Sequence, residues 1–180
     1  IILTQQQIQQ ITKRIAYQIY ETFVDETEIV IAGIANSGYT FAQKISDEVS
    51  KISDIKVVLG KVEVNKQNPL QEIKTDLTKA DYENKAIVLV DDDVMNSGAT
   101  LVYGVKYFLE VPLKKFKTAV LIDRSHKKYP VKADFKGISL STSSLEHIQV
   151  VFNEEFFTQI FGIILSFCFC IDCRFSLCCR

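Results

Sequence analysis

Residues 87–104, IVLVDDDVMNSGATLVYG, pass from an apolar run through a small polar loop into a helical pattern. The run 87–90 is typical of a buried parallel strand, because such a strand is covered on both faces. Three carboxylates, at 91–93, stand where the strand should end. Apolar residues then recur at helical spacing: Leu101, Val105, Phe108 and Leu109. We therefore predict a strand, a loop and a helix, in this order.

The predicted loop has the chemistry of a phosphate site. Its residues are Asn96, Ser97, Gly98, Ala99 and Thr100. Ligands of open α/β sheets bind beyond the carboxyl ends of the strands, where the free N–H groups of a helix attract anions. Gly98 allows close approach of the backbone, and two hydroxyls add donors. The preceding carboxylates would repel a bare phosphate, but they suit ligand hydroxyls or Mg²⁺, as in a ribose phosphate.

A purely structural interpretation of the same residues is a capped turn between a strand and a helix. In that interpretation the Asp and Ser side chains only satisfy the amides at the start of the helix. Three successive carboxylates are more than a cap requires. We therefore favour a ligand site over a simple cap.

Composition indicates one globular domain in a reducing compartment. The chain has 180 residues, enough for one domain with a core, and its formal net charge of −1 gives no global argument for nucleic-acid binding. Ile1 and Ile2 run into glutamines without a signal-peptide pattern, so we expect a cytoplasmic protein. The five cysteines are Cys168, Cys170, Cys173, Cys178 and Cys179, so no disulfide framework is expected elsewhere.

The amino-terminal part is predicted to contain a helix and then a strand, loop and helix unit. Thr4 and Gln7 form a capping-box pattern ahead of a helical period. That helix is expected to bury Ile8, Ile11, Ile15, Ile19 and Phe23. A buried strand at 28–34 follows, and Ala35, Asn36, Ser37 and Gly38 form a second small polar loop. The next helix is expected to bury Phe41, Ala42, Ile45, Val49 and Ile52.

The remaining elements complete an α/β pattern. Further strands are predicted at 55–64 and 117–123, with short strand-like stretches at 137–140 and 147–152. Residues 65–84, which we call the hood, are polar and contain Pro69, so they are predicted to be an excursion rather than core. They form either a lid or a plain surface loop. The predicted fold is a mainly parallel twisted sheet flanked by helices, with a hood and a small C-terminal β portion.

The central motif resembles the phosphoribosyl pyrophosphate motif of type I phosphoribosyltransferases. That motif has four apolar residues, an acidic pair, and then Ser or Thr, Gly, any residue and Thr. The pair falls on Asp92 and Asp93, and Asp91 stands where the family usually has an apolar residue. The resemblance implies that this pair, the catalytic residues, contacts the ribose hydroxyls and that 96–100 hold the 5-phosphate. It also implies that 35–38 bind pyrophosphate, with Mg²⁺ carried mainly by the substrate and no direct protein ligand.

Residues 119–151 are similar to one subgroup, the pyrimidine operon attenuators that are also uracil phosphoribosyltransferases. With the central motif and Lys13-Arg14-Ile15-Ala16, the resemblance covers about 4–152. It implies a pyrimidine base as substrate, RNA as a partner and a homodimer. Asp123, Arg124 and His126 are the candidates for lining a base pocket. The alternative is that His126 and Lys127 are only exposed loop charges.

Three departures from the family pattern bear on activity. Ala35 and Ser37 replace the cations usual in the first loop, which could weaken transition-state stabilisation. In the hood, Lys66 is the cation in the region where the family has a Tyr-Arg-Asp-Asp signature. Asn96 replaces the carboxylate that purine-using relatives place there, so purines are the least favoured substrates.

Two other functions stay open. The first is an RNA-binding regulator with phosphoribosyl pyrophosphate as effector; its basic footprint would be Arg14, Lys114, Lys115, Lys117 and Lys127. The second is a catalytically weakened ligand-binding protein.

The end of the chain fits neither the domain nor its function. We predict a phosphoribosyltransferase domain at 1–155 and an apolar, cysteine-rich tail at 156–180 that is unrelated to catalysis. The tail is short for a membrane span, and its cysteines lack an accompanying histidine. Two interpretations stay open: the tail is an artefact of the reading frame or gene end, or it is genuine and either anchors the protein to a membrane or partner or promotes aggregation.

Overall fold

The fold is organised around two parallel strands, β1 (Glu28–Ile34) and β4 (Ala86–Val90). The computed structural model describes residues 3–65, 68, 70–91, 94–141, 148–152 and 158–162, the side chains of 149–152 and 158–162 excepted. Within these residues β1 is buried apart from Glu28, and β4 is buried throughout. Continuous burial requires cover on both faces, which the helices provide.

The main sheet has seven strands. The other strands are β2 (Lys56–Glu63), β3 (Lys74–Thr75), β5 (Val94–Met95), β6 (Lys115–Arg124) and β7 (Phe135–Leu140). Their order is β3-β2-β1-β4-β6-β5, with β7 on the free side of β6. Among the described strands of this sheet, only β3 runs antiparallel, to β2. The expectation of a mainly parallel sheet is therefore confirmed.

Two helices lie on one face of this sheet. They are α1 (Gln5–Thr22) and α2 (Ala35–Ile52). The predicted capping box is present, with the Gln7 amide donating to the Thr4 hydroxyl. Both helices bury the expected apolar stripe against β1, β4 and β6, with Ile11 and Ile52 only partly buried. The helical period of 3.6 residues in these two segments therefore predicted correctly which face of each helix is buried.

The other face is covered by α3 (Lys79–Tyr82) and α4 (Ala99–Phe108). Leu101 and Phe108 are buried there and Val105 packs against them, as predicted. Leu109 is 59% exposed, contrary to the prediction, because α4 ends at Phe108 and the next residue no longer follows the buried stripe.

Part of the hood belongs to the core, which corrects the prediction of a surface excursion. Leu77 and Tyr82 are buried, and the Tyr82 ring meets Phe108 edge-on with centroids 5.0 Å apart. Gly60 in β2 leaves the space that the Leu77 side chain fills. Because the rest of 65–84 is polar, its composition did not indicate that Leu77 and Tyr82 are buried. Lys66, the cation predicted for the hood, lies outside the described residues.

The two C-terminal strand-like stretches have different partners. The first becomes β7 and extends the main sheet, whereas the second becomes β8 (Ile148–Phe152) and forms a hairpin with β9 (Thr158–Gly162). The backbone of β9 lies within the predicted tail. The five cysteines lie outside the described residues. Among the described residues, none of the helices has the length and apolar character needed to cross a membrane.

Candidate active site

The candidate site lies at the carboxyl edge of β1 and β4. Gly33 of β1 is in register with Val90 of β4, so the segments that follow these strands leave the sheet side by side. From here the strand order proceeds outward in both directions, through β2 on one side and β6 on the other. Such a reversal of strand order is where open α/β sheets bind ligands.

The predicted phosphate loop, 96–100, consists of a turn ending at Gly98 and the first two residues of α4, so the helix begins earlier than predicted. Gly98 has a φ of 76°, which glycine adopts without strain, and it caps the start of α4. The Ala99 amide donates to the Ser97 hydroxyl at 3.3 Å. Helix α4 therefore begins just beyond the strands, and N–H groups of a first turn that have no acceptor within the helix can bind an anion.

The phosphate loop rests on the segment 124–131, which follows β6. The amides of Lys128 and Tyr129 both donate to the Ser97 carbonyl, at 3.0 and 3.2 Å. A side chain at Gly98 would collide with Val131. The loop shape thus depends on a segment about thirty residues downstream in the sequence.

The three candidates for the base pocket make separate sets of contacts. Arg124 is 7% exposed, and its Nη1 donates to Asn96 Oδ1 at 2.8 Å. Asp123 is also buried and pairs with Lys127 at 3.2 Å and with Lys136 at 3.7 Å. His126 is half-buried in the turn that follows. The structure therefore brings Arg124 to the phosphate loop and Asp123 to two lysines.

The acidic triplet is only partly described. Asp92 and Asp93, the predicted catalytic pair, lie outside the described residues. Asp91 is 1% exposed, and its amide continues the sheet by donating to the Ala119 carbonyl at 2.9 Å. The Thr100 hydroxyl donates to Asp91 Oδ1 at 2.9 Å. A carboxylate thus lies under the last residue of the phosphate loop.

The predicted pyrophosphate loop, residues 35–38, is in fact the first turn of α2. The helix begins directly after β1, with Ala35 at a φ of 57°. Gly33 makes this abrupt start feasible, because a Cβ there would lie 2.7 Å from both the Gly38 carbonyl oxygen and the Tyr39 nitrogen. Small polar residues suggested a loop, but they are equally compatible with the first turn of a helix. Helix amides, rather than loop amides, are therefore available here.

The five basic residues predicted to contact RNA interact with other groups of this chain. Lys114, Lys117 and Lys127 pair with Glu26, Asp134 and Asp123. Lys115 donates to the Thr22 carbonyl and lies over the Phe23 ring, and Arg14 donates to the carbonyls of Lys136 and Gly137. The adjacent carboxylates reduce the positive potential of three of these five cations.

Metal-binding side chains do not cluster in the described part of the chain. No group of three His, Cys, Asp or Glu residues that could hold a metal ion occurs there. The acidic pair 92–93 falls outside that part.

Comparison with known proteins defines the family. Residues 1–155 match the family model described as "phosphoribosyl transferase domain". A protein of Macrococcus caseolyticus named "bifunctional protein PyrR" is 32% identical over 161 residues, covering 86% of this chain and 92% of its own. A protein of the same name from Clostridium novyi is 32% identical over 169 residues, covering 86% and 90%.

Solved structures agree on the fold. A hypoxanthine-guanine phosphoribosyltransferase from Bacillus anthracis superposes with a TM-score of 0.66 at 22% identity, covering 77% of this chain and 80% of its own. A hypoxanthine phosphoribosyltransferase from Trypanosoma cruzi, solved with IMP, gives a TM-score of 0.70 at 17% identity, with 82% of each chain covered. The chain belongs to the phosphoribosyltransferase family, with the type I fold.

Two contacts of this site were not predicted from the sequence: Arg124 with Asn96, and Asp91 with Thr100. The sequence does indicate the contact of Asp91, because a carboxylate at a position that is usually apolar needs a nearby partner. It does not indicate the contact of Arg124 with Asn96, because the register that places Met95 beside Asp123 cannot be deduced from local pattern.

Proposed function

We propose that the protein transfers the 5-phosphoribosyl group from phosphoribosyl pyrophosphate to uracil and releases pyrophosphate. The observation that carries this proposal is the left-handed Gly98 turn at the start of α4, beside the first turn of α2 at one sheet edge. Two neighbouring helix starts suit a substrate with phosphate groups at both ends of a ribose. The choice of uracil rests on the resemblance of residues 119–151 to the pyrimidine subgroup.

Each part of the substrate has proposed partners. Residues 96–100 bind the 5-phosphate, Asp92 and Asp93 contact the ribose hydroxyls, and the first turn of α2 faces the pyrophosphate. We assign the base side to the 124–131 segment, which contacts the phosphate loop through Arg124, Lys128 and Tyr129. Mg²⁺ accompanies the pyrophosphate as part of the substrate and neutralises charge on the leaving group.

The chemistry proposed requires no covalent nucleophile. Cleavage passes through a sugar with oxocarbenium character, so the protein acts by positioning the reactants and stabilising charge. Carboxylates near the ribose suit the positive charge that develops on the ring.

A direct assay tests this proposal. Pyrophosphate release would be measured with phosphoribosyl pyrophosphate and Mg²⁺, offering uracil, hypoxanthine, guanine, adenine and orotate separately. Turnover with uracil alone is expected. Turnover with a purine but not with uracil would overturn the substrate assignment, and absence of both turnover and binding would overturn the function.

A second candidate is a regulator that binds phosphoribosyl pyrophosphate without turnover. The observation favouring it is that residues 35–38 contribute no cationic side chain to the start of α2. Tight binding with no turnover for any base would support this candidate. Salt-dependent binding to a pyrimidine leader hairpin would add RNA as its partner.

A further inference from the structure

The Thr100 hydroxyl cannot serve a bound phosphate in the observed arrangement. A hydroxyl has one proton to donate, and an ionised carboxylate can only accept. The Thr100 hydroxyl donates its hydrogen bond to Asp91 Oδ1 at 2.9 Å. Thr100 is the second residue of α4, in the first turn of the helix. One of the two hydroxyl donors expected for the phosphate is therefore committed elsewhere.

Asp91 is held in place by the sheet. Its amide donates to the Ala119 carbonyl at 2.9 Å, and the residue is 1% exposed. Thr100 can release the carboxylate only by rotating its hydroxyl, which would leave a buried acceptor with one contact fewer. The carboxylate also adds negative charge close to the place where an anion binds, in a site of reduced dielectric. Both effects weaken the binding of a phosphate group at this loop.

We propose that Asp91 is a positioning residue that restrains the phosphate loop through Thr100. It withholds a donor from the 5-phosphate and lowers the affinity of the loop for phosphate monoesters. This inference rests on the proposed function, since it concerns the same loop. The 5-phosphate is present in both substrate and product, so the restraint weakens the binding of both. It is expected to raise the KM for phosphoribosyl pyrophosphate with little effect on kcat.

Calorimetric titration of the full chain with ribose 5-phosphate tests the inference. Asp91→Val removes the charge and the acceptor, and we expect it to tighten binding about tenfold, the value of one hydrogen bond to a charged group. Asp91→Asn keeps an acceptor for Thr100 but removes the charge, and an intermediate gain is expected. In a Thr100→Val background the gain from Asp91→Val should shrink, because the hydroxyl is already absent.

The outcomes separate this inference from the proposed function. If the wild type binds phosphoribosyl pyrophosphate but neither Asp91 variant binds ribose 5-phosphate more tightly, the inference fails and the function stands. If neither the wild type nor any variant binds either ligand, the function itself fails. Should Asp91→Val not unfold cooperatively, Asp91→Asn decides the question: binding at least threefold tighter than that of the wild type supports the restraint, and any smaller gain or a loss overturns it.

Discussion

Arg124 at the end of β6 donates from Nη1 to Oδ1 of Asn96 in the phosphate loop, across 2.8 Å. The two residues are 28 positions apart in the sequence, and the adjacency of β5 and β6 brings them together. A buried guanidinium thus connects the end of β6 to the loop proposed for the 5-phosphate. The shape of that loop is therefore a tertiary property.

Replacing Arg124 should loosen the phosphate loop. We expect Arg124→Leu to weaken ribose 5-phosphate binding about tenfold, since one hydrogen bond to a charged group is lost from a part-buried site. Titration calorimetry measures the change. Arg14→Leu is the matched control, because Arg14 also donates to carbonyls but contacts β7 rather than the loop. Equal affinities for wild type and Arg124→Leu would contradict the proposed connection.

The Gly98 turn should tolerate no side chain. Gly98→Ala forces a left-handed φ on alanine, at about 1–2 kcal/mol, and also brings a Cβ against Val131. We expect a total loss of about 2–4 kcal/mol in the free energy of unfolding, measured by urea denaturation. Val131→Ala in the same chain should recover only the steric part. Full recovery by Val131→Ala would show that backbone strain is absent.

Asp134 should contribute stability that is lost in acid. Burial raises the pKa of its carboxyl, but hydrogen bonds from Lys117 and from the amide and hydroxyl of Thr118 outweigh burial, so the pKa lies below its ordinary value of 3.8. A lowered folded-state pKa gives stability that is present above the unfolded pKa and lost as the pH falls through the folded value.

Asp134→Asn tests this expectation. At neutral pH we expect a loss of about 1 kcal/mol, a figure already reduced for the partial exposure of the ion pair. Below about pH 4 the variant should lose stability less steeply than the wild type. Asp54→Asn, in the exposed turn before β2, is the control. Parallel acid profiles for wild type and Asp134→Asn would refute the assignment.

Tyr82 should hold the hood against α4, and its hydroxyl should lose its proton only at a more alkaline pH than an ordinary tyrosine. Burial, with Tyr107 nearby, raises the pKa of the Tyr82 hydroxyl to about 12. A raised folded-state pKa means that its contribution to stability is lost as the pH rises from about 10 towards 12. Tyr82→Phe should remove this alkaline dependence and cost little at neutral pH. Tyr82→Ala should cost about 3–5 kcal/mol, because it empties a core position against Phe108.

The acidic pair should be essential for turnover. Asp92→Asn combined with Asp93→Asn is expected to lower kcat at least about a hundredfold, since the groups proposed to contact the ribose lose their charge. Circular dichroism and thermal unfolding should match the wild type. Asp25→Asn combined with Asp54→Asn makes the same charge change at exposed positions and should leave kcat unchanged. Full activity in the first variant would refute the roles assigned to the pair.

Local pattern was sufficient for most of the architecture. The capping box at Thr4, the buried run of β4 and the apolar stripes of α1 and α2 were predicted correctly, because each is set by residues within a few positions of one another. The same kind of signal located the turn at Gly98, although it missed β5 and placed the start of α4 two residues late. Turn and helix chemistry operates over short distances along the chain.

Pattern failed at the first turn of α2 and in the hood. Small polar residues at 35–38 are as typical of a loop as of a helix start, and the close approach of Gly33 to the backbone of Tyr39 has no periodic signal in the sequence. In the hood, Tyr82 packs against Phe108 of α4, a contact between separate parts of the chain that local composition does not show.

The sequence by itself determined strand β4, helix α4 and the α/β class. Tertiary structure alone decided that Arg124 contacts Asn96. The physical reason is that periodicity and turn preferences depend on near neighbours, whereas this contact depends on the order and register of β5 and β6. Sheet pairing is a long-range choice, and it sets which side chains meet at the carboxyl edge.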